Sequence, residues 1–187
     1  FLKTISSGKL ENNKGINISN RNITLNYLTD KDIESIKIAK KLNIKNYALS
    51  FTNTLEDVKK FNKLLPKVNK IFKIESKKAI KNLKNIILNG NNFLIDRGDL
   101  SKQIKIENVP IIQRKIFIIS KKFKDKKNVY VATNLLESMI NNKYPTSGEV
   151  NDIYSNLQIG AKGLVLAAET AIGKYPEKTI DFLIKMI

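Results

Sequence analysis

Lys73, Glu75 and Asp99 carry the clearest chemistry in this sequence. Residues two apart on a strand face the same side, so Lys73 and Glu75 enter any interior together. A buried ammonium and a buried carboxylate are each costly alone and need partners. Asp99 supplies a second carboxylate at the end of the next predicted strand. Two carboxylates beside an ammonium suit one hard divalent cation, Mg²⁺ or Mn²⁺, with positions left open for substrate oxygens. The ammonium then neutralises charge developing on a transferred phosphoryl group or an enolate. Gly98 allows a tight turn that presents backbone N–H groups to an anion. Ser50, Thr133, Glu137 and Glu169 stand at or just beyond other predicted strand ends. Their types are less telling. A hydroxyl there commonly satisfies backbone, and a glutamate there can complement a helix N-terminus. The plain alternative for Lys73 and Glu75 is a salt bridge capping a sheet end; polar groups at successive strand ends weigh against it.

These residues need strands that end on one side. Short apolar runs occur at residues 47–51, 68–75, 93–95, 129–133 and 163–167. Runs that are apolar throughout imply strands buried on both faces, as in a parallel sheet. Helical spacing fills the intervals. Thr29 with Asp32 reads as a capping box before a helix over residues 33–42. Helices are expected over residues 57–65, stopped by Pro66, over 77–88, and over 106–123 with Pro110 in the first turn. Two helical stretches follow around residues 135–140 and 148–157, and Pro176 opens a last one. Strict βα alternation makes this an α/β fold, either an open doubly wound sheet or a (β/α)₈ barrel. Neither GxGxxG nor GxxxxGK[ST] is present, which favours the barrel, where strand C-termini converge on one mouth.

Composition narrows the chemistry. The 187 residues are 42% hydrophobic, enough for one domain with a sizeable core. There is no cysteine and no histidine, so disulfides, thiolate sites and imidazole ligands or bases are excluded. The formal charge is +17, but the only arginines are Arg21, Arg97 and Arg114, and lysines are spread along every amphipathic stretch. A nucleic-acid surface would carry arginine forks and interleaved aromatics. A compositionally biased, solvated surface is the better reading, with no nucleic-acid partner. No apolar run of about 18 residues occurs, so no membrane-spanning helix is expected. The chain starts at Phe1 and ends in an apolar run at Ile187, which reads as a fragment of a longer protein.

The motifs resemble the pyruvate kinase family. They are Lys14-Gly15-Ile16-Asn17-Ile18, Leu28-Thr29-Asp30-Lys31-Asp32, Leu49-Ser50-Phe51, Lys73-Ile74-Glu75, Arg97-Gly98-Asp99-Leu100, Ala132-Thr133 with Leu136-Glu137-Ser138-Met139, Pro145-Thr146, and Glu169-Thr170-Ala171 with Gly173-Lys174-Tyr175-Pro176. Their order along the chain makes the resemblance specific. It implies a (β/α)₈ barrel with an inserted small β domain and a C-terminal regulatory domain. Residues 1–18 then correspond to the end of the inserted domain, and residues 19–187 to the catalytic barrel from its fourth to its eighth strand. The first three strands and the regulatory domain would lie outside this sequence. Five strands cannot close an eight-stranded barrel, so the 187 residues alone are expected to be inactive.

The resemblance implies phosphoryl transfer from phosphoenolpyruvate to ADP, giving pyruvate and ATP in glycolysis, with Mg²⁺ or Mn²⁺ and commonly K⁺, whose site would lie mostly outside this sequence. By the same resemblance Glu75 and Asp99 are the metal ligands and Lys73 is the catalytic lysine. Backbone around Arg97, Gly98 and Asp99 cradles the substrate carboxylate, and Thr133 lies beside the enolate carbon that is protonated. Ser50 and Glu137 are further candidates near the mouth. A homo-oligomer, by family a tetramer, is implied, in the cytoplasm or in an organelle of an AT-rich eukaryote.

The departures are specific. Asp96 stands where the family has alanine, and Ser101 where it has glycine. Thr52-Asn53-Thr54 replace a stretch with arginine, Ser147 replaces an arginine, and Ala167-Ala168 replace Ser-Gly. Two alternatives therefore stay open: a catalytically impaired pseudoenzyme or assembly subunit, and a phosphoenolpyruvate-using relative with another substrate.

Overall fold

The computed structural model describes residues 3–9, 12, 26–123 and 127–187. Residues 3–9 are in neither helix nor strand, and the β segment expected at Gly15-Ile16-Asn17-Ile18 lies outside the described residues. From Asp30 onward, helices and strands alternate. They are α1 (Asp30–Lys41), β1 (Asn46–Leu49), α2 (Leu55–Leu64), β2 (Asn69–Ile74), α3 (Lys77–Lys81), α4 (Leu83–Asn89), β3 (Asn92–Asp96), α5 (Arg97–Ser101), α6 (Val109–Lys121), β4 (Asn128–Ala132), α7 (Ser147–Ile159), β5 (Gly163–Val165), α8 (Ala168–Ala171) and α9 (Pro176–Met186).

Local chemistry accounts for most boundaries. Thr29–Asp32, Thr54–Asp57 and Thr146–Glu149 each form a reciprocal capping box that starts α1, α2 and α7. The Thr54 box starts α2 two residues before the expected 57. The helix expected over residues 77–88 is two helices, because the Asn82 side chain binds the carbonyls of Asn53 and Lys78 and interrupts the run. The helix expected over 106–123 opens with a 3₁₀ turn, Ile106–Asn108, before α6. Only a 3₁₀ turn, Glu137–Ile140, forms in the stretch expected over 135–140.

The five strands form one parallel sheet in the order β1-β2-β3-β4-β5. The order never reverses, unlike that of a doubly wound sheet. This is the C-terminal portion of a (β/α)₈ barrel, five βα units long. Phe72 pairs with Phe93 and Phe93 with Val129; Ile74 pairs with Ile95 and Ile95 with Val131. These six share one face and pack on Val58, Phe61, Leu83, Ile86, Ile116 and Phe117 of the helices. The Phe61 and Phe72 rings meet edge to face at 6.1 Å. A smaller cluster of Leu135, Leu136, Met139, Ile153 and Leu183 closes the β4–β5 end.

Candidate active site

Strand parity delivers the site. Lys73 is in register with Leu94, on the face opposite the helix-covered one. Counting on by two, Glu75 comes opposite Asp96. The two carboxylates therefore leave adjacent parallel strands on the same side and at the same level, and the ammonium leaves that side two residues earlier on β2.

They meet there. Lys73 Nζ lies 2.9 Å from Glu75 Oε2 and 3.0 Å from Asp96 Oδ2. Glu75 is fully buried, and its Oε1 accepts the Phe51 N–H at 2.6 Å. Phe51, just beyond the end of β1, has φ 47°, a left-handed conformation. The only partner of Glu75 Oε2 among the described residues is the Lys73 ammonium. Burial pushes the Glu75 carboxyl above its ordinary value, against the pull of Lys73 and the Phe51 N–H. For Lys73, burial acts to lower the value, but the carboxylates of Glu75 and Asp96 outweigh it and hold the ammonium above its ordinary range. Lys73 is therefore charged throughout the neutral range.

Asp99 approaches from the first turn of α5 and pairs with Lys102 at 2.7 Å on the surface. Carboxylate oxygens of Glu75, Asp96 and Asp99 lie within 4.8 Å of one another. This all-oxygen donor set fits a hard divalent cation: three carboxylates, one of them fully buried, with no softer donor.

Thr133 ends the cluster on the β4 side. Its Oγ1 accepts the Gly98 N–H at 2.7 Å, and its hydroxyl proton has the Ala132 carbonyl at 2.6 Å and Asp96 Oδ1 at 3.4 Å in reach. Thr133 and Asn134 are both left-handed, with φ of 67° and 53°. A β-branched residue in this region carries strain of about 1–3 kcal/mol. Arg97 offsets it. Its guanidinium, nine-tenths buried, donates to the Thr133 and Asn134 carbonyls and pairs with Asp152 on α7 at 2.7 Å.

The structure thus brings together Lys73, Glu75, Asp99, Gly98 and Thr133. The Arg97 side chain points into the Thr133–Asn134 turn and Asp152, so near the mouth it is backbone that Arg97 offers. Two others stand apart. Ser50 is exposed, and the group that reaches Glu75 from this strand end is the next residue's N–H. Glu137 is exposed and accepts from the Asn134 side chain. Sequence reasoning assigned no partner to Asp96, although parity with Glu75 could have found it. It also missed Phe51, whose contribution is a backbone conformation that no residue type signals, and Asp152, which lies far along the chain from Arg97.

Comparison with known proteins is consistent along the whole chain. The family profile described as "Pyruvate kinase, barrel domain" matches residues 1–180. The pyruvate kinase of Thermotoga maritima is 41% identical over 183 residues, covering 96% of this chain and 39% of that protein. The pyruvate kinase of Mycobacterium intracellulare is 33% identical over 187 residues, 98% of this chain and 39% of that protein. Plastidial pyruvate kinase 3, chloroplastic, of Arabidopsis thaliana is 38% identical over 183 residues, 96% of this chain and 32% of that protein. The chain therefore spans about two fifths or less of the length of these relatives. Among the described residues no helix is long and apolar enough to cross a membrane.

Proposed function

The chain belongs to the pyruvate kinase family, and from that premise we propose that it carries the phosphoryl-transfer and enolate-handling face of a pyruvate kinase. The observation that supports this most is the meeting of Lys73, buried Glu75, Asp99 and Thr133 at the ends of three adjacent parallel strands. In this reading the substrates are phosphoenolpyruvate and ADP. The bond between phosphorus and the enol oxygen breaks, and a bond from phosphorus to a β-phosphate oxygen of ADP forms. The electron pair stays on the enolate, whose methylene carbon then takes a proton to give pyruvate.

Glu75 and Asp99 hold Mg²⁺ or Mn²⁺, which when bound supplies Lewis-acid charge to the substrate oxygens. Lys73 places a permanent ammonium against the transferring phosphoryl group and the enolate oxygen. The Gly98 and Asp99 N–H groups receive the substrate carboxylate. In the free chain these donors are already engaged, Gly98 with Thr133 Oγ1 and Asp99 with Asp96 Oδ1. An incoming carboxylate takes their place and releases the Thr133 hydroxyl to face the enolate carbon, where it orients the proton donor.

The test is pyruvate formation by the full-length protein with saturating Mg²⁺ or Mn²⁺, with and without a chelator. Turnover should require the metal, and Asp99→Ala should lower kcat/KM by about a hundredfold or more. Full activity in Asp99→Ala would overturn its assignment as a ligand. A second reading, an impaired or redirected relative, draws support from Asp96 standing among the proposed substrate contacts. Calorimetric titration with Mn²⁺ and phosphoenolpyruvate separates the two, since a pseudoenzyme that has lost the site binds neither.

A further inference from the structure

We propose that Asp96 is an internal competitor for the anionic substrate and sets the substrate affinity of this site. The inference rests on the pyruvate kinase reading and adds a residue that the reading does not use. Asp96 extends from the last position of β3 with both carboxylate oxygens committed to groups that the substrate needs. Oδ2 lies 3.0 Å from the Lys73 ammonium, the proposed partner of the phosphoryl group. Oδ1 accepts from the Asp99 N–H at 3.4 Å, one of the proposed carboxylate donors, and lies 3.4 Å from Thr133 Oγ1. A carboxylate of the protein thus shares one donor, the Asp99 N–H, with the expected substrate carboxylate and holds the ammonium expected to meet the phosphoryl group.

Charge adds to occupancy. Glu75, Asp96 and Asp99 face the Lys73 ammonium, with the exposed Lys102 ammonium on the solvent side of Asp99, so Asp96 offsets part of the positive charge that a divalent cation brings to the cluster. Without Asp96 the same cluster with metal would be one charge more positive. The substrate must therefore displace Asp96 from Lys73 and the Asp99 N–H, and must bind beside its negative charge. Once displaced, Asp96 still faces the metal-holding oxygens, so the same side chain that weakens substrate binding favours the cation. Cation binding should accordingly precede substrate binding.

Asp96 also caps α5, so substitution has two separable effects. Asp96→Asn keeps a capping oxygen and removes the charge; Asp96→Ala removes both. The experiment measures KM for phosphoenolpyruvate in the full-length protein at saturating Mn²⁺ and ADP. It also measures calorimetric Kd values for phosphoenolpyruvate with Mn²⁺, and for Mn²⁺ alone. Both variants should lower the KM and Kd for phosphoenolpyruvate about tenfold or more and weaken Mn²⁺ binding in the absence of substrate. Loosening of the fold would move KM the other way. Gain of substrate binding in the variants over a non-binding wild type supports the inference as well. Wild-type turnover with an unchanged or raised KM in both variants overturns it and leaves the proposed function standing. Absence of phosphoenolpyruvate binding in wild type and both variants overturns both.

Discussion

Arg97 donates to the Thr133 carbonyl from two nitrogens, Nε at 3.0 Å and Nη2 at 2.6 Å, and so holds a left-handed threonine against Gly98. The fork is specific to a guanidinium, because an ammonium cannot bridge adjacent carbonyls in one plane. Arg97→Met should relax the turn, release Thr133 Oγ1, and lower kcat for pyruvate formation about tenfold to a hundredfold, with stability falling by about 2–4 kcal/mol. Arg97→Lys should rescue stability more than kcat. Asp152→Asn, which leaves the carbonyl contacts intact, should leave kcat within about twofold of wild type. Solvent deuterium appearing in the pyruvate methyl group reports the protonation step separately.

Lys73→Met should abolish measurable phosphoryl transfer and leave Glu75 buried without its cation. Breaking a buried pair in this way costs about 3–5 kcal/mol. Denaturant unfolding in metal-free buffer measures the loss. Added Mn²⁺ should recover part of it by giving Glu75 another positive partner.

Gly173 is bound by packing. A Cβ built there would lie 2.2 Å from the Glu169 carbonyl oxygen, which is backbone and cannot yield like a side chain. Gly173→Ala should therefore displace α8 and lower the melting temperature by several degrees, about 2–3 kcal/mol of stability. Circular dichroism melts of wild type and variant decide this.

Acid stability should depend on Glu149. Burial acts to raise its value, but hydrogen bonds from Ser138 Oγ at 2.5 Å, Ser138 N at 2.7 Å, and Thr146 N and Oγ1 at 2.7 and 2.9 Å outweigh it and hold the carboxyl below its ordinary value. The folded value lies below the unfolded one. The stabilisation is therefore complete above the unfolded value, near 4.5, and is lost as pH falls through the folded value. Glu149→Gln should lower stability at neutral pH by about 1–2 kcal/mol and flatten the loss on acidification. Urea unfolding at neutral pH and between about pH 5 and 3 checks both.

Sequence reading reached the fold through the apolar runs, since strands buried on both faces leave an unbroken signature. It reached Lys73 and Glu75 through parity, which needs only spacing. It did not reach α5 or α8, which are shorter than the two turns a helical period needs to show itself. The Arg97 side chain, to which the sequence reading gave no role beside that of its backbone, shows the limit most clearly. Spacing placed the residue at the mouth, but a side chain's direction depends on which carbonyls turn towards it. Here the left-handed pair Thr133–Asn134 decides that direction, and nothing in those two residue types announces it.

The uninterrupted strand order has a bearing on biosynthesis. Among the described residues the five strands pair in chain order, so none of these four pairings waits for a distant segment. Parallel sheets are slow to form when their partners are remote in sequence. This one can grow by accretion, each βα unit adding to the edge laid down by the unit before it. Glu75, Asp96 and Thr133 would then come together in sequence during vectorial synthesis, with the ion-pair cluster closing once β3 has joined β2.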